Sequence, residues 1–181
     1  MVPELVSPTT ALMASYLTAM AEFRAEGRGG AHDHSSIGGE LRALSSVWHA
    51  PDGFASFVAD LLADADPDHP RPAGWVACTT LWWAHEDQFL GRIAVRHELT
   101  DGLRIFGGHI GYDVRPTARR VGHATSMLGA VLPRARSLGV TPSALLTCDT
   151  TNLASRKVIE ANGGVLAEQD DDVRRYWVPT G

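Results

Sequence analysis

The stretch RPTARRVGHATSML, residues 115–128, sets Arg119 and Arg120 just ahead of Gly122 and Ala124, directly after an alternating segment that ends in Tyr112 and Val114. A helix beginning near Gly122 leaves its first backbone N–H groups unpaired, and with the positive end of the helix dipole these form a site for an anion. Gly122 lets the backbone approach closely, Ala124 keeps the next turn low, the two arginines add charge, and Pro116 fixes the chain between strand and loop. On this pattern alone, an ordinary strand-to-helix turn with water-exposed arginines accounts for the residues equally well. His32 and His34, in AHDH, have the look of a metal pair but sit in a polar, glycine-rich loop without further ligands at hand, so no metal is assigned. Cys78 and Cys148 lie in apolar, β-branched stretches at a spacing that fits no metal or redox motif, and read as buried thiols.

The elements that must position these groups follow from periodicity. Apolar residues recur at helical spacing from Thr10 to Glu26, from Glu40 to Trp48, and after Asp52 through Phe54, Phe57, Val58, Leu61 and Leu62. The segment DADPDHPRP ends this helical part. Beyond it the period shortens toward two, and Trp75 to Trp83, Phe89 to Val95, Leu103 to Val114, Ala144 to Cys148, Gly164 to Glu168 and Val173 to Val178 read as strands. Two helices interrupt them, Gly122 to Leu138 and Asn152 to Ala161, with a kink or local break expected at Pro133. The order gives an α+β fold, with the strands before and after the longer helix side by side and parallel through a right-handed crossover.

With 181 residues, 44% of them apolar and 20% charged, the chain reads as one globular domain spanning 1–181, helical over 1–72 and sheet-based over 73–181. A net charge of −5 with no concentrated basic face argues against nucleic acid as a partner. No apolar run reaches the roughly 20 residues that cross a bilayer, and the N-terminal MVPELVSPTT lacks the build of a secretion signal. A cytoplasmic protein that does not engage membranes is expected.

The arrangement Val114-Arg115-Pro116, then Arg119-x-x-Gly122-x-Ala124, resembles the acetyl-CoA-binding motif of the GNAT superfamily of N-acyltransferases. LLTCDTTNLASRKVIEANGG resembles the strand, asparagine and helix that complete the family's cofactor cleft, and RHEL, GGHIGYDV, TCDTTNLASR and RRYW are similar to elements of a bacterial branch of predicted acetyltransferases. The resemblance implies a mixed, mostly antiparallel central sheet of six to seven strands, with helices on both faces and a splayed strand pair that binds acetyl-CoA. It implies that the main chain of Arg119, Arg120, Val121, Gly122, His123, Ala124 and Thr125 holds the pyrophosphate. The pantetheine arm is then expected beside Tyr112 and Val114, with Asn152 and Ser155 bonding to it from the next helix. The helices and loops of 1–72 become walls of the acceptor pocket.

Acyl transfer from a thioester to an amine needs a neutral amine and a proton for the leaving thiolate. His109, whose ordinary pKa lies near neutrality, is the expected base. The tyrosine that many family members place seven residues after the asparagine is Ile159 here, which leaves Ser155, a water held by it, or Tyr176 as the acid. Arg96 and His97 lie at the end of the neighbouring strand, where one of them is expected to reach the acceptor together with His109; that they simply end the strand accounts for them equally well. Cys148 as an acyl-cysteine nucleophile is disfavoured because no histidine is near in sequence. The expected activity is direct transfer, in a ternary complex, to the amine of a small molecule. A protein or peptide N-terminus as acceptor, or a non-catalytic acyl-CoA sensor, are the alternatives. An edge strand at Val173 to Val178 is compatible with a homodimer.

Overall fold

A computed structural model of the chain describes residues 2–33, 35–43 and 45–181; His34 of the histidine pair lies outside them. Strand β1 (Glu4–Val6) leads through a 3-10 turn at Thr10–Leu12 into helices α1 (Met13–Ala25), α2 (Ser36–Ala43) and α3 (Pro51–Ala63). Strands β2 (Cys78–His85) and β3 (Gln88–Arg96), helix α4 (Asp101–Ile105), strand β4 (Ile110–Val114), helix α5 (His123–Ser137), strand β5 (Ser143–Asp149), helix α6 (Leu153–Ala161) and strands β6 (Val165–Gln169) and β7 (Val173–Pro179) follow. The strands form two antiparallel sheets, β1-β2-β3-β4 and β5-β7-β6, so the expected α+β architecture of seven strands is present.

Alternation places the two cores. On β2, Leu81 and Trp83 turn toward Met127, Leu128 and Val131 of α5, while Trp82 and Ala84 turn toward α1 and α3 on the other face. There the Tyr16 ring stacks on Trp82 at 5.1 Å and meets Trp48 edge-on at 5.4 Å, an arrangement that suits the ring quadrupoles. This aromatic cluster pins the N-terminal helices against the first sheet and so holds the α1–α2 connection over β3 and β4. No helix among the described residues is long and apolar enough to cross a membrane.

Several elements depart from the periodicity reading. The three-residue β1, paired with β2, is too short to carry a pattern. Helix α2 starts at Ser36 rather than Glu40, because the Ser35 hydroxyl accepts a hydrogen bond from Gly38 N at 3.0 Å and caps the turn. The expected strand from Leu103 is instead α4, started by Thr100, whose hydroxyl accepts from Leu103 N at 3.2 Å. Helix α5 continues through Pro133 as one element rather than breaking; the proline is exposed and falls near the helix C-terminus, where few later bonds depend on it. The expected parallel pairing of β4 with β5 is confined to one junction, where His109 N donates to Leu145 O at 2.7 Å. Beyond it the two strands belong to separate sheets, leaving their facing edges open.

Candidate active site

The junction is held by a Gly107-Gly108 turn that only glycine fits. Both residues have positive φ, +107° and +62°, and a Cβ on Gly108 would stand 2.3 Å from the Leu145 carbonyl oxygen. Gly107 N also donates to Thr147 Oγ1 at 2.9 Å, tying the start of β4 to the middle of β5. From this tie the strands open into a cleft of about 350 Å³, with Arg92, Arg96, Gly111 and Asp113 on its first-sheet side and Thr147, Cys148, Asn152 and Ser155 opposite. Arg28 and Ser35, from the α1–α2 connection, close it from above.

At the far end of β4 lies the candidate anion site. Gly122 adopts φ +90° and Arg120 φ +67°, a paired left-handed geometry that turns the chain into α5. The helix ladder begins with Ser126 N donating to Gly122 O at 3.1 Å, so the amides of Gly122, His123, Ala124 and Thr125 precede it and form the helix N-terminus. The Arg119 side chain turns away from this end. Its Nε donates to Val114 O at 3.0 Å and its two terminal nitrogens bind Glu26 at 2.8 and 2.9 Å, bracing the loop against α1. Any anion is therefore left to backbone amides and to the exposed Arg120. Val121 is 71% exposed at the tip of the same loop, and His123 accepts from Trp83 Nε1 at 3.2 Å through Nδ1.

Across the cleft, Tyr112 Oη and Ser155 Oγ share a hydrogen bond of 2.8 Å, linking β4 to the first turn of α6. Asn152 caps that turn, its Oδ1 accepting from Ser155 N at 2.9 Å, which fixes Ser155 at the rim. Burial pushes the Tyr112 pKa up to about 12, partly offset by the bond to Ser155, so the phenol keeps its proton. Two neutral hydroxyls in contact, beside an opened strand edge and a helix N-terminus, can bind a linear anionic thioester and return a proton to its sulfur.

A family model described as an acetyltransferase (GNAT) domain matches residues 40–165. The chain belongs to the GNAT acetyltransferases. Solved structures agree in fold: MccE, a microcin self-immunity acetyltransferase in complex with acetyl-CoA and AMP, is 12% identical, with 98% of this chain and 92% of that chain covered at a TM-score of 0.66. RimL, a ribosomal α-N-protein acetyltransferase in complex with coenzyme A, is 14% identical, with coverage of 98% and 94% and a TM-score of 0.66. RimJ of Mycobacterium smegmatis, in complex with a CoA-disulfide, is 16% identical, with coverage of 99% and 90% and a TM-score of 0.64. Among curated proteins, none matches.

Within this GNAT chain the expected site residues divide. Tyr112, Asn152, Ser155 and Arg96 line the cleft. His109 does not. Its ring lies in a separate hollow with Arg104, Pro142 and Trp177, and its Nδ1 accepts from Leu145 N at 2.9 Å. That bond uses the basic nitrogen and leaves the proton on Nε2, while burial, with Arg104 and Arg96 nearby, lowers the pKa to about 4. The geometry thus gives His109 the work of locking the β4–β5 junction, and argues against the expected base. His97, just past the end of β3, bonds Thr79 through Nε2 at 2.8 Å and lies off the cleft lining; burial lowers its pKa.

Tyr176 is also absent from the cleft lining. Only 1% exposed, it packs in the core beneath α5 and α6, with its hydroxyl 3.5 Å from Glu160, and burial and that carboxylate raise its pKa. Ile159, at the position of the family's tyrosine, is fully buried in the same core and packs there. Cys148 borders the cleft as a thiol whose pKa burial raises, a poor nucleophile.

The charged roof of the cleft was not expected. The buried Arg92 is ion-paired with Glu40, which also accepts from Tyr16 Oη at 3.1 Å. Arg28 bridges Asp33 at 2.9 Å and Asp113 at 3.0 Å. Although burial works against it, hydrogen bonds from Ser35, Gly29 and Arg28 hold the Asp33 carboxyl well below the usual range. One signal did exist in the sequence: Arg92 interrupts the apolar run FLGRIAV, and a charge at such a position requires a buried partner.

Proposed function

We propose that this chain transfers the acetyl group of acetyl-CoA directly to the α-amine of a small molecule. The observation that carries this reading is the Tyr112–Ser155 hydroxyl pair on the wall of the opened β4–β5 cleft, with the α5 N-terminus at the cleft's far end. Amides of Gly122 to Thr125, assisted by Arg120, are suited to the pyrophosphate, and the unpaired edges past the His109–Leu145 junction to an extended arm. In the reaction the amine nitrogen forms a bond to the thioester carbonyl carbon, the C–S bond breaks, and sulfur leaves with the electron pair. Ser155 gives its proton to that sulfur and is resupplied by Tyr112, which regains a proton from water. The proton lost by nitrogen goes to solvent.

Both carboxylates among the described residues lining the cleft are already hydrogen-bonded or ion-paired, which favours an α-amine as acceptor. Asp113 is committed to Arg28, and Asp149 accepts from Thr151 N at 2.7 Å. An α-amino group with a pKa of about 8 is already roughly a tenth neutral at pH 7, whereas a lysine-like amine near 10.4 is not. Direct transfer agrees with the unreactive state of Cys148.

A second reading, a peptide N-terminus as acceptor, is favoured by the apolar edge of the cleft, where Phe106 is 54% exposed. Release of CoA thiol from acetyl-CoA is to be followed over amino acid amides, dipeptides, longer peptides, polyamines and aminoglycosides. Turnover of compact α-amines at neutral pH is expected; turnover confined to long peptides would select the second reading. Acetyl-CoA binding without turnover of any amine would overturn both.

A further inference from the structure

We propose that Arg96 binds a carboxylate of the acceptor, so that the preferred acceptor is an α-amine carrying a carboxylate elsewhere on the same molecule. The inference rests on the acetyl-transfer reading above and names the chemistry of its second substrate.

Three arginines border the cleft, and two are already neutralised. Arg92 is paired with Glu40, and Arg28 with Asp33 and Asp113. Arg96 differs. Its Nη1 donates to the carbonyl oxygens of Gly107 at 3.4 Å and Gly108 at 3.2 Å, and it meets no carboxylate within ion-pairing distance among the described residues. A half-buried guanidinium satisfied only by neutral carbonyls retains a charge that the low-dielectric cleft penalises. Burial and the like charge of Arg92 act on it in the same sense, lowering its pKa.

The surroundings keep this cation accessible. A Cβ on Gly111 would lie 3.7 Å from Nη1 and 4.0 Å from Nη2, in contact with the face that glycine leaves open. Arg96, at the end of β3, thus lies against Gly111 of β4, the residue before Tyr112, whose hydroxyl belongs to the donor pair. The phosphates of acetyl-CoA are an inferior match for Arg96, because their proposed seat is past the opposite end of β4, at Gly122 to Thr125. The planar fork of a guanidinium fits a carboxylate with two parallel bonds, and it rejects a cationic group of the kind polyamines and aminoglycosides present.

Alanyl-glycine and alanyl-glycinamide present the same α-amine, and only the first carries a carboxylate. The wild-type protein is expected to use the acid with a kcat/KM about tenfold or more above that of the amide, expressed in KM. Arg96→Gln, which keeps donors for the Gly107 and Gly108 carbonyls, is expected to bring the ratio close to one, and Arg96→Lys to restore part of it. Calorimetric titration of both dipeptides into the CoA-loaded protein reads the same preference without turnover. Failure of acetyl transfer would therefore leave the carboxylate test intact. Equal affinity for the two dipeptides would overturn the proposal, as would an Arg96→Gln variant whose kcat falls equally for both, which would make the guanidinium a polariser of the thioester. A thermal melt of each variant separates either result from loss of the fold.

Discussion

Replacing His109 by Asn and by Ala separates proton transfer from positioning. The ring is 9% exposed and its Nδ1 takes the Leu145 amide at 2.9 Å. Ala leaves that buried N–H without an acceptor, a loss of about 1–3 kcal/mol before any cavity term. Asn offers Oδ1 at nearly the reach of Nδ1 and should recover most of it. The pH dependence gives an independent reading. The pKa of His109 is lowered by burial from 6.5 to about 4, so above 6.5 neither the folded nor the unfolded chain binds this proton. Between 6.5 and 4 the unfolded chain binds it and the folded chain does not, and stability falls as the pH drops. Below 4 both bind it and the loss is complete, at about 3 kcal/mol for a shift of this size. Urea unfolding at pH 7.5, 5.5 and 4.5 should show this loss in the wild type and its absence in His109→Asn, the difference between the two cancelling other groups. Turnover by His109→Asn at pH 7.5 should stay within about threefold of wild type. A general base contributes roughly 100-fold or more. A drop of that size in kcat for the Asn variant, with stability and acetyl-CoA affinity unchanged, would refute the structural role and make His109 the base.

Ser155→Ala and Tyr112→Phe should each lower kcat by about 100-fold with acetyl-CoA affinity nearly intact, and the double variant should lose little more, because the two hydroxyls act as one relay. Since Tyr112 ionises only near pH 12, kcat/KM should rise as the acceptor amine deprotonates and show no alkaline fall up to pH 10; a fall near pH 8 would remove Tyr112 from the relay. Gly108→Ala forces a left-handed φ of +62° on a side chain and drives its Cβ to 2.3 Å from Leu145 O, so a loss of about 3 kcal/mol or more is expected in chemical unfolding.

What the sequence disclosed depended on how local the determining physics was. The mouth of α5 was legible because its chemistry is backbone geometry: a residue that tolerates φ near +90° at Gly122 and a helix beyond it suffice, and both are written in adjacent letters. The same holds for Asn152, whose cap is a three-residue affair with Ser155 N. Helix α4 was misread because LRIF alternates adequately for a strand over four residues, while the deciding interaction, Thr100 Oγ1 with Leu103 N, is a cap that outweighs so short a pattern. The ion pairs over the cleft span separations no window covers, from Glu40 to Arg92 and from Arg28 to Asp113, and Arg92 alone hinted at them. His109 marks a harder limit. A histidine's capacity as a base is decided by what occupies its lone pair, and here that is an amide 36 residues away on the far side of a crossover. Placed in one strand, the imidazole looks poised for catalysis; placed at the point where two strands part, its lone pair is taken by the Leu145 amide, and the proposed relay of Tyr112 and Ser155 lies just past that point.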